Sequence, residues 1–189
     1  EVPLLFTIRT KKEGGALEIS SESYEDMNLI AAETGKADLV DVEVLWETER
    51  KTELIKRLHE HNAIVIASSH DFQKTEETEV LLERFQKMDD TGADILKMAV
   101  MPEEKGDVER LMVTVKKVAD EMTEKPLIAM SMGELGAISR IAGESFGSCL
   151  TFGVVGEASA PGQLPIGILR AQLEALHRQN MVDSARRIL

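Results

Sequence analysis

Lys97 lies inside the apolar run 95–101, with hydrophobic residues on both sides. A strand this apolar is expected to be buried on both faces, so a lysine within it has unusual surroundings. Desolvation disfavours the ammonium form of a lysine and leaves a neutral amine, the nucleophile that forms a Schiff base with a carbonyl compound. The alternative is a lysine at the strand end whose ammonium group extends back to water. The run alone leaves both interpretations open.

A histidine follows another apolar segment. His70 lies in the sequence Ser-Ser-His-Asp-Phe at 68–72, directly after the apolar residues 63–67, and it is the only one of the four histidines at such a position. An imidazole titrates near neutrality, as general acid–base chemistry requires, although it can also simply hydrogen-bond a loop. Neighbouring parallel strands lie about 5 Å apart, so His70 and Lys97 can face the same small ligand.

Alternating strands and helices must position these two groups. Short apolar segments predict six strands, at residues 3–9, 39–45, 63–68, 95–100, 127–132 and 150–155. Segments between them predict helices at 23–34, 52–61, 75–90, 107–121, 135–142 and 165–177. Because a helix follows every strand, parallel pairing with right-handed crossovers is the natural arrangement.

Two α/β architectures fit this order, the open doubly wound sheet and the closed (β/α)8 TIM barrel. Residues 9–15 lack the Gly-x-Gly-x-x-Gly pattern that favours the open sheet. Candidate site residues lie within, at the end of or just after strands of five different units: Arg9, Glu13, His70, Lys97, Met132 and Ser159. A barrel assembles its active site in this way, so we predict a TIM barrel forming a single domain over residues 1–189.

The number of units is smaller than a barrel requires. A full barrel has eight βα units in about 250 residues, whereas six predicted units occupy 189 residues here. The last unit reaches a plausible end and the sequence starts on a strand, so we expect the first two βα units to be lacking. An unclosed barrel exposes unpaired strand edges. We therefore expect an N-terminally truncated barrel, or one that a partner completes.

The net charge and the cysteine content of the chain indicate which kinds of partner and which cellular setting to expect. The net charge of −12 would repel phosphate backbones and anionic lipids, so we expect neither nucleic-acid nor membrane binding. The single cysteine, Cys149, excludes an internal disulfide and indicates a reducing, cytoplasmic setting, and we expect its thiol to be buried and structural. We see no metal-ligand cluster or nucleotide motif in the sequence, which predicts no cofactor.

Six motifs, in order, resemble those of the type I 3-dehydroquinate dehydratases. They are Phe-Thr-Ile-Arg through Glu-Gly-Gly (6–15), Ser-Ser-His-Asp-Phe (68–72), Lys-Met-Ala-Val-Met-Pro (97–102), Met-Ser-Met (130–132), Ser-Arg through Gly (139–143) and Ala-Ser-Ala-Pro-Gly-Gln (158–163). The resemblance covers essentially the whole chain, and six ordered matches are far more specific than any one. It implies a TIM barrel that acts in the shikimate pathway, commonly as a homodimer.

The resemblance also implies roles for three catalytic residues. Lys97 would attack the C3 ketone of 3-dehydroquinate and form an iminium, which acidifies the C2 hydrogen. His70 would remove that proton and then protonate the departing C1 hydroxyl, yielding 3-dehydroshikimate and water. Glu13 would orient His70 and stabilise its imidazolium form.

The implied substrate-binding residues are Arg9, Arg140, Ser159, Gln163, Met130 and Met132. Arg140, with Ser159 and Gln163, would bind the substrate carboxylate, and Arg9 would hold ring hydroxyls. The two methionines would form one wall of the site. The segment 159–163 would be a lid that closes over the substrate.

Two departures from the family pattern keep alternatives open. Ser69 stands where the family usually has Asn, and the family's Glu-Trp-Arg motif is absent, since Trp46 lies past a different strand. One alternative is another Schiff-base barrel lyase, such as a class I aldolase. The other is an inactive barrel fragment used for binding or assembly.

Overall fold

A computed structural model describes residues 2–188, with side chains described for residues 2–181. The strands are β1 (Leu5–Thr7), β2 (Leu39–Glu43), β3 (Ile64–Asp71), β4 (Ile95–Val100), β5 (Leu127–Ser131), β6 (Gly153–Val154) and β7 (Leu164–Pro165). The α-helices are α1 (Ser21–Glu33), α2 (Thr48–Glu60), α3 (Thr78–Asp90), α4 (Lys105–Glu121), α5 (Ala137–Ile141), α6 (Gly143–Phe146) and α7 (Ile166–Ile188). None of the helices among the described residues is long and apolar enough to cross a membrane.

Strands β1 to β5 form one parallel sheet in sequence order. Each of its first four strands is followed by a helix of at least three turns, so the predicted strand–helix alternation is confirmed for this part of the chain. The register places Lys97 of β4 beside Ser68 of β3 and Ile128 of β5. The described sheet has fewer strands than the eight of a closed barrel, in agreement with a barrel lacking some of its units.

The two faces of this sheet have different chemistry. The outer face carries apolar side chains that pack with those of helices α1 to α4 in one core, among them Val40, Val65, Leu96, Leu54, Phe85 and Leu111. A smaller apolar cluster on the other face includes Ile66, Ile128 and Met130. Because strand side chains alternate between faces, Lys97 shares this inner face with Ala99, while Leu96 and Met98 belong to the outer core.

The sixth predicted strand is the main discrepancy. Instead of a strand over 150–155, only Gly153–Val154 are extended, and they pair with Leu164–Pro165 rather than with β5. A single bridge between Leu127 and Ser148 continues the five-stranded sheet. An apolar run forms a buried strand only where a neighbouring strand pairs with it along its length. At 150–155 this partner is lacking, because the chain leaves the sheet after one bridge.

The departure of the chain from the sheet also explains why the side chain of Cys149 is exposed. Cys149 follows the bridging residue Ser148, and its side chain is exposed, so the prediction of a buried thiol is wrong. Its backbone N–H still donates to the carbonyl of Leu127, 2.8 Å away. The backbone is therefore held at the sheet edge while the side chain points away from the core.

Two helices also differ from prediction. The helix expected at 135–142 is divided into α5 and α6, which meet at Ala142. The last helix extends to Ile188 rather than ending near 177. The other helices begin and end within four residues of the predicted bounds, and α4 starts with a capping box formed by Glu104 and Asp107.

Candidate active site

A cavity of about 370 Å³ opens at the carboxyl end of the sheet. All the predicted site residues except Glu13 line it: Arg9, His70, Lys97, Met130, Met132, Arg140, Ser159 and Gln163. Glu13 lies behind His70 and contacts its ring. Residues separated by up to 154 positions in the sequence thus meet around one space of the size of a small-molecule site.

Lys97 is the amine at the base of this cavity. Its side chain is buried, so it does not extend back to bulk water. The ammonium nitrogen lies 2.6 Å from Asp41 Oδ2 and 4.9 Å from the centre of the Phe152 ring. The lysine is therefore held between a carboxylate on β2 and an aromatic ring from the segment before β6, with the cavity open to it.

Asp41 is a fully buried carboxylate that the sequence analysis missed. In addition to Lys97, it accepts hydrogen bonds from Ser68 Oγ at 2.6 Å and from Arg9 Nη2 at 2.9 Å. Burial acts to raise the pKa of Asp41, but the positive charges of Lys97 and Arg9 outweigh it and hold this pKa well below its usual value. Asp41 is therefore an anion in the resting site.

Glu43, two residues further along β2, was missed as well. Its Oε1 accepts from Arg9 Nη1 at 2.7 Å and from the Thr10 backbone N–H at 2.8 Å, while its Oε2 accepts from Thr10 Oγ1 at 2.6 Å and Trp46 Nε1 at 3.2 Å. These bonds fix the turn that follows β1. The available signal was the pattern Leu-Val-Asp-Val-Glu-Val at 39–44, in which two acids alternate with apolar residues and so share one face of a strand.

Arg9 joins the carboxylates of this cluster. Its guanidinium contacts Asp41, Glu43 and, at 3.4 Å, Glu13. Burial acts to lower the pKa of Arg9, and the neighbouring Asp41 and Glu43 charges raise it above its usual value, so the guanidinium remains charged. Much of its donor capacity is used inside the protein, yet the side chain still lines the cavity.

His70 and Glu13 form a closely bonded pair. Glu13 Oε2 lies 2.8 Å from His70 Nδ1 and also accepts the His70 backbone N–H at 3.0 Å. Burial, together with the positive charges of Arg9 and Lys97, lowers the pKa of His70 to about 2. Burial and the neighbouring Glu43 charge raise the pKa of Glu13 to about 9. The imidazole is therefore neutral near pH 7, and the Glu13 carboxyl group fixes its orientation through Nδ1.

The raised pKa of Glu13 predicts a pH dependence of stability. A carboxyl group whose folded-state pKa exceeds its unfolded value stabilises the fold below about pH 4.5, and this contribution is lost as the pH rises toward 9. Between pH 6.5 and 9 the wild type should lose up to about 1.4 kcal/mol of unfolding free energy per pH unit relative to Glu13→Gln. Urea unfolding at several pH values measures the difference. Glu18→Gln, at an exposed carboxylate, is the control, and an equal pH dependence of Glu13→Gln and wild type would contradict the prediction.

The opposite wall is formed by Arg140 and the segment that follows β6. Arg140 is 1% exposed, and its guanidinium donates to the Pro161 carbonyl at 2.9 Å and contacts Met130 Sδ at 3.3 Å. Burial lowers the pKa of Arg140. The Ser159 backbone N–H and hydroxyl both donate to Gln163 Oε1, at 2.9 and 3.2 Å. The three residues assigned to carboxylate binding thus line one side of the cavity, and the movement of a lid at 159–163 stays a prediction.

Gly14 ends the short 3-10 turn Lys11–Glu13 that carries Glu13, with φ of 84°. A Cβ at this position would lie 2.3 Å from the Phe72 ring, whereas a Cβ at Gly35, with φ of 63°, would meet nothing within 4 Å. Both changes to alanine strain a left-handed backbone, but only Gly14→Ala adds the clash. We expect Gly14→Ala to cost about 1–3 kcal/mol more unfolding free energy than Gly35→Ala in urea titrations, and equal losses would contradict this packing.

Comparisons with known proteins match the chain to one family. The family model described as "Type I 3-dehydroquinase" matches residues 1–180. The 3-dehydroquinate dehydratase of Listeria monocytogenes serotype 4a (strain HCC23) is 47% identical over 179 residues, which are 95% of this chain and 71% of that protein. The 3-dehydroquinate dehydratase of Salmonella typhimurium is 43% identical over 176 residues, covering 93% of this chain and 70% of that protein.

Solved structures that resemble the chain include a member of the same family and a more distant barrel. The type I 3-dehydroquinate dehydratase of Clostridium difficile, crystallised with covalently modified comenic acid, superimposes with a TM-score of 0.89 at 41% identity, over 94% of this chain and 70% of that one. A deoxyribose-phosphate aldolase from Toxoplasma gondii, described as putative, matches with a TM-score of 0.63 at 16% identity, over 90% of this chain and 66% of that one. The second similarity is one of fold alone.

Proposed function

The chain belongs to the type I 3-dehydroquinase family, and on that premise we propose that Lys97, His70 and Glu13 dehydrate 3-dehydroquinate through a Schiff base. Its relatives are hydro-lyases, and the activity of the chain is that of a 3-dehydroquinate dehydratase. The observation that carries the proposed mechanism is a buried lysine amine and a neutral histidine lining the same cavity.

The first step is condensation of Lys97 with the substrate ketone. The nitrogen forms a bond to C3, the carbonyl oxygen leaves as water, and the resulting iminium draws electrons from the neighbouring carbon. Its effect is to make the C2 hydrogen acidic enough for a side-chain base to remove. The buried position of Lys97 supports this step because bulk water, which would hydrolyse the iminium early, has little access.

Proton transfer is the task of His70. A neutral imidazole accepts the C2 proton, and the lowered pKa of His70 supports its being neutral over the whole physiological range. The imidazolium then gives a proton to the C1 hydroxyl as it leaves as water. Glu13 fixes the ring through Nδ1, so that Nε2 is the nitrogen available to the substrate. Hydrolysis of the iminium releases 3-dehydroshikimate and restores Lys97.

Substrate orientation is the role proposed for the cavity wall that carries Arg140, Ser159 and Gln163. We propose that Arg140, Ser159 and Gln163 bind the carboxylate of 3-dehydroquinate, since a guanidinium and two neutral polar groups there face the cavity that contains Lys97. Arg9 is proposed to contact the ring hydroxyls, and Met130 and Met132 to pack against the ring. The place in the shikimate pathway, the cytoplasmic location and the homodimer stay predictions.

A turnover assay tests the proposed function. The product is a conjugated enone and absorbs ultraviolet light that the substrate does not, so conversion can be followed directly. We expect the protein to convert 3-dehydroquinate to 3-dehydroshikimate and to leave deoxyribose 5-phosphate unchanged. Absence of conversion by a protein with intact secondary structure by circular dichroism would reject the proposal, and cleavage of the sugar phosphate would favour the aldolase alternative.

A further inference from the structure

We propose that Asp41 is the counter-ion of the Schiff base, balancing the charge of the Lys97 ammonium in the resting site and of the iminium after condensation. This inference rests on the proposed function, because it assigns a partner to the covalent bond that Lys97 forms. It adds a residue on β2 to the groups described above.

The contacts of Asp41 divide between its two oxygens. Oδ2 lies 2.6 Å from the Lys97 nitrogen, while Oδ1 accepts from Arg9 and from Ser68. The side chain is fully buried, so no solvent screens its charge. Ser68 and Arg9 therefore fix the orientation of the carboxylate and leave the second oxygen for the reacting nitrogen.

The other acids of the cluster are engaged elsewhere. Glu43 accepts from Arg9, Thr10 and Trp46, and Glu13 is bonded to His70. Among the described residues, Asp41 is the carboxylate in contact with the Lys97 ammonium. Because a buried ammonium without an anion is strongly unfavourable, Asp41 accounts for how this lysine can be buried at all.

The charge requirement is the same before and after condensation. An ammonium and a ketone give an iminium and water: the C–N bonds form, both C–O bonds break, and the oxygen leaves with two protons from nitrogen. One positive charge stands on the nitrogen on each side of this equation. A fixed anion beside that nitrogen therefore stabilises both charged states relative to the uncharged amine, without taking up or releasing a proton. Without the anion, formation of the iminium places an unbalanced positive charge in the buried site.

A counter-ion must stay ionised throughout the reaction, whereas a general base must take up a proton during it. The positive charges of Lys97 and Arg9 hold the pKa of Asp41 well below its usual value, although burial opposes them. Asp41 is not among the residues that line the cavity. Both of its oxygens already accept hydrogen bonds from protein groups, so it is poorly placed to take a proton from the substrate. The environment of Asp41 thus favours electrostatic stabilisation, while proton transfer is left to His70.

The test compares Asp41→Asn with Ser68→Ala in borohydride trapping with 3-dehydroquinate. Asparagine keeps the shape but removes the charge, whereas Ser68→Ala removes one hydrogen bond to the same carboxylate and keeps its charge. We expect Asp41→Asn to lower kcat by about 10²-fold and the trapped fraction of Lys97 by at least about tenfold, with a smaller change in KM. Ser68→Ala should change trapping by less than about threefold.

The outcomes of this test distinguish failure of the counter-ion proposal from failure of the proposed function. If the wild type itself is not trapped, the proposed function fails. If the wild type is trapped and Asp41→Asn gives the same trapped yield, the counter-ion role is overturned while the function stands. Should Asp41→Asn not fold, the ¹³C carboxylate resonance of Asp41 in the wild type decides: we expect an ionised carboxylate both in the free protein and in the substrate adduct, and a protonated one in either state overturns the proposal.

Discussion

Lys97→Ala is expected to lower turnover of 3-dehydroquinate by about 10⁴-fold or more, to the limit of detection. The substitution removes the nucleophile, and no covalent electron sink is then available for the C2 proton. Product formation under saturating substrate measures the effect. Lys117→Ala, at an exposed lysine of α4, should retain full activity. Turnover by Lys97→Ala within about tenfold of wild type would exclude the Schiff-base mechanism.

The same substitution has a consequence for stability. Removing the lysine leaves Asp41 with Arg9 and Ser68 as partners, so the protein should fold but with a lower unfolding free energy. Adding Asp41→Asn to Lys97→Ala removes the buried carboxylate that has lost Lys97 and should restore part of the lost unfolding free energy. Circular dichroism and urea unfolding of these variants separate a chemical defect from a folding defect.

His70→Ala has the second largest expected effect, a fall in kcat of about 10²–10⁴-fold. The iminium with Lys97 should still form, because the amine and its Asp41 partner are unchanged. Elimination then lacks its base and its acid, so the covalent intermediate should accumulate and borohydride should trap more of it at steady state than in the wild type. His177→Ala, at an exposed histidine of α7, is the control.

Two results would contradict this division of roles. Normal turnover by His70→Ala would mean that another group transfers the protons. Loss of trapping in a folded His70→Ala protein would mean that the histidine is needed for condensation itself. The contrast with Lys97→Ala is therefore informative, since one variant should lose the adduct and the other should accumulate it.

The sequence allowed us to predict site residues that are polar or charged but lie in or next to an apolar segment. Lys97 stands out in an apolar strand and His70 at the end of another, and both line the cavity. The acids of β2 carry the same signal, yet the contact that explains Asp41 could not be read from it. Asp41 and Lys97 belong to strands separated by β3, and their side chains meet above Ser68 on the inner face. Such a contact depends on how the sheet brings side chains together, which spacing along the chain does not specify.

The fold was predicted where a strand has a partner along its length. Strands β2 to β5 lie where apolar runs indicated them, because each is paired with a neighbour and covered by helices. The run at 150–155 has comparable composition but loses its partner after the bridge at Ser148. Arg9 shows a related effect: by spacing it resembles a surface ion pair with Glu13, and the structure places both in a buried network with Asp41 and Glu43.

Borohydride reduction of the protein during reaction with 3-dehydroquinate tests the central claim most directly. Peptide mapping by mass spectrometry should find one reduced adduct per chain, on Lys97, formed with 3-dehydroquinate and not with deoxyribose 5-phosphate. Absence of an adduct on Lys97 with 3-dehydroquinate, in a protein that turns this substrate over, would contradict covalent catalysis by the buried lysine.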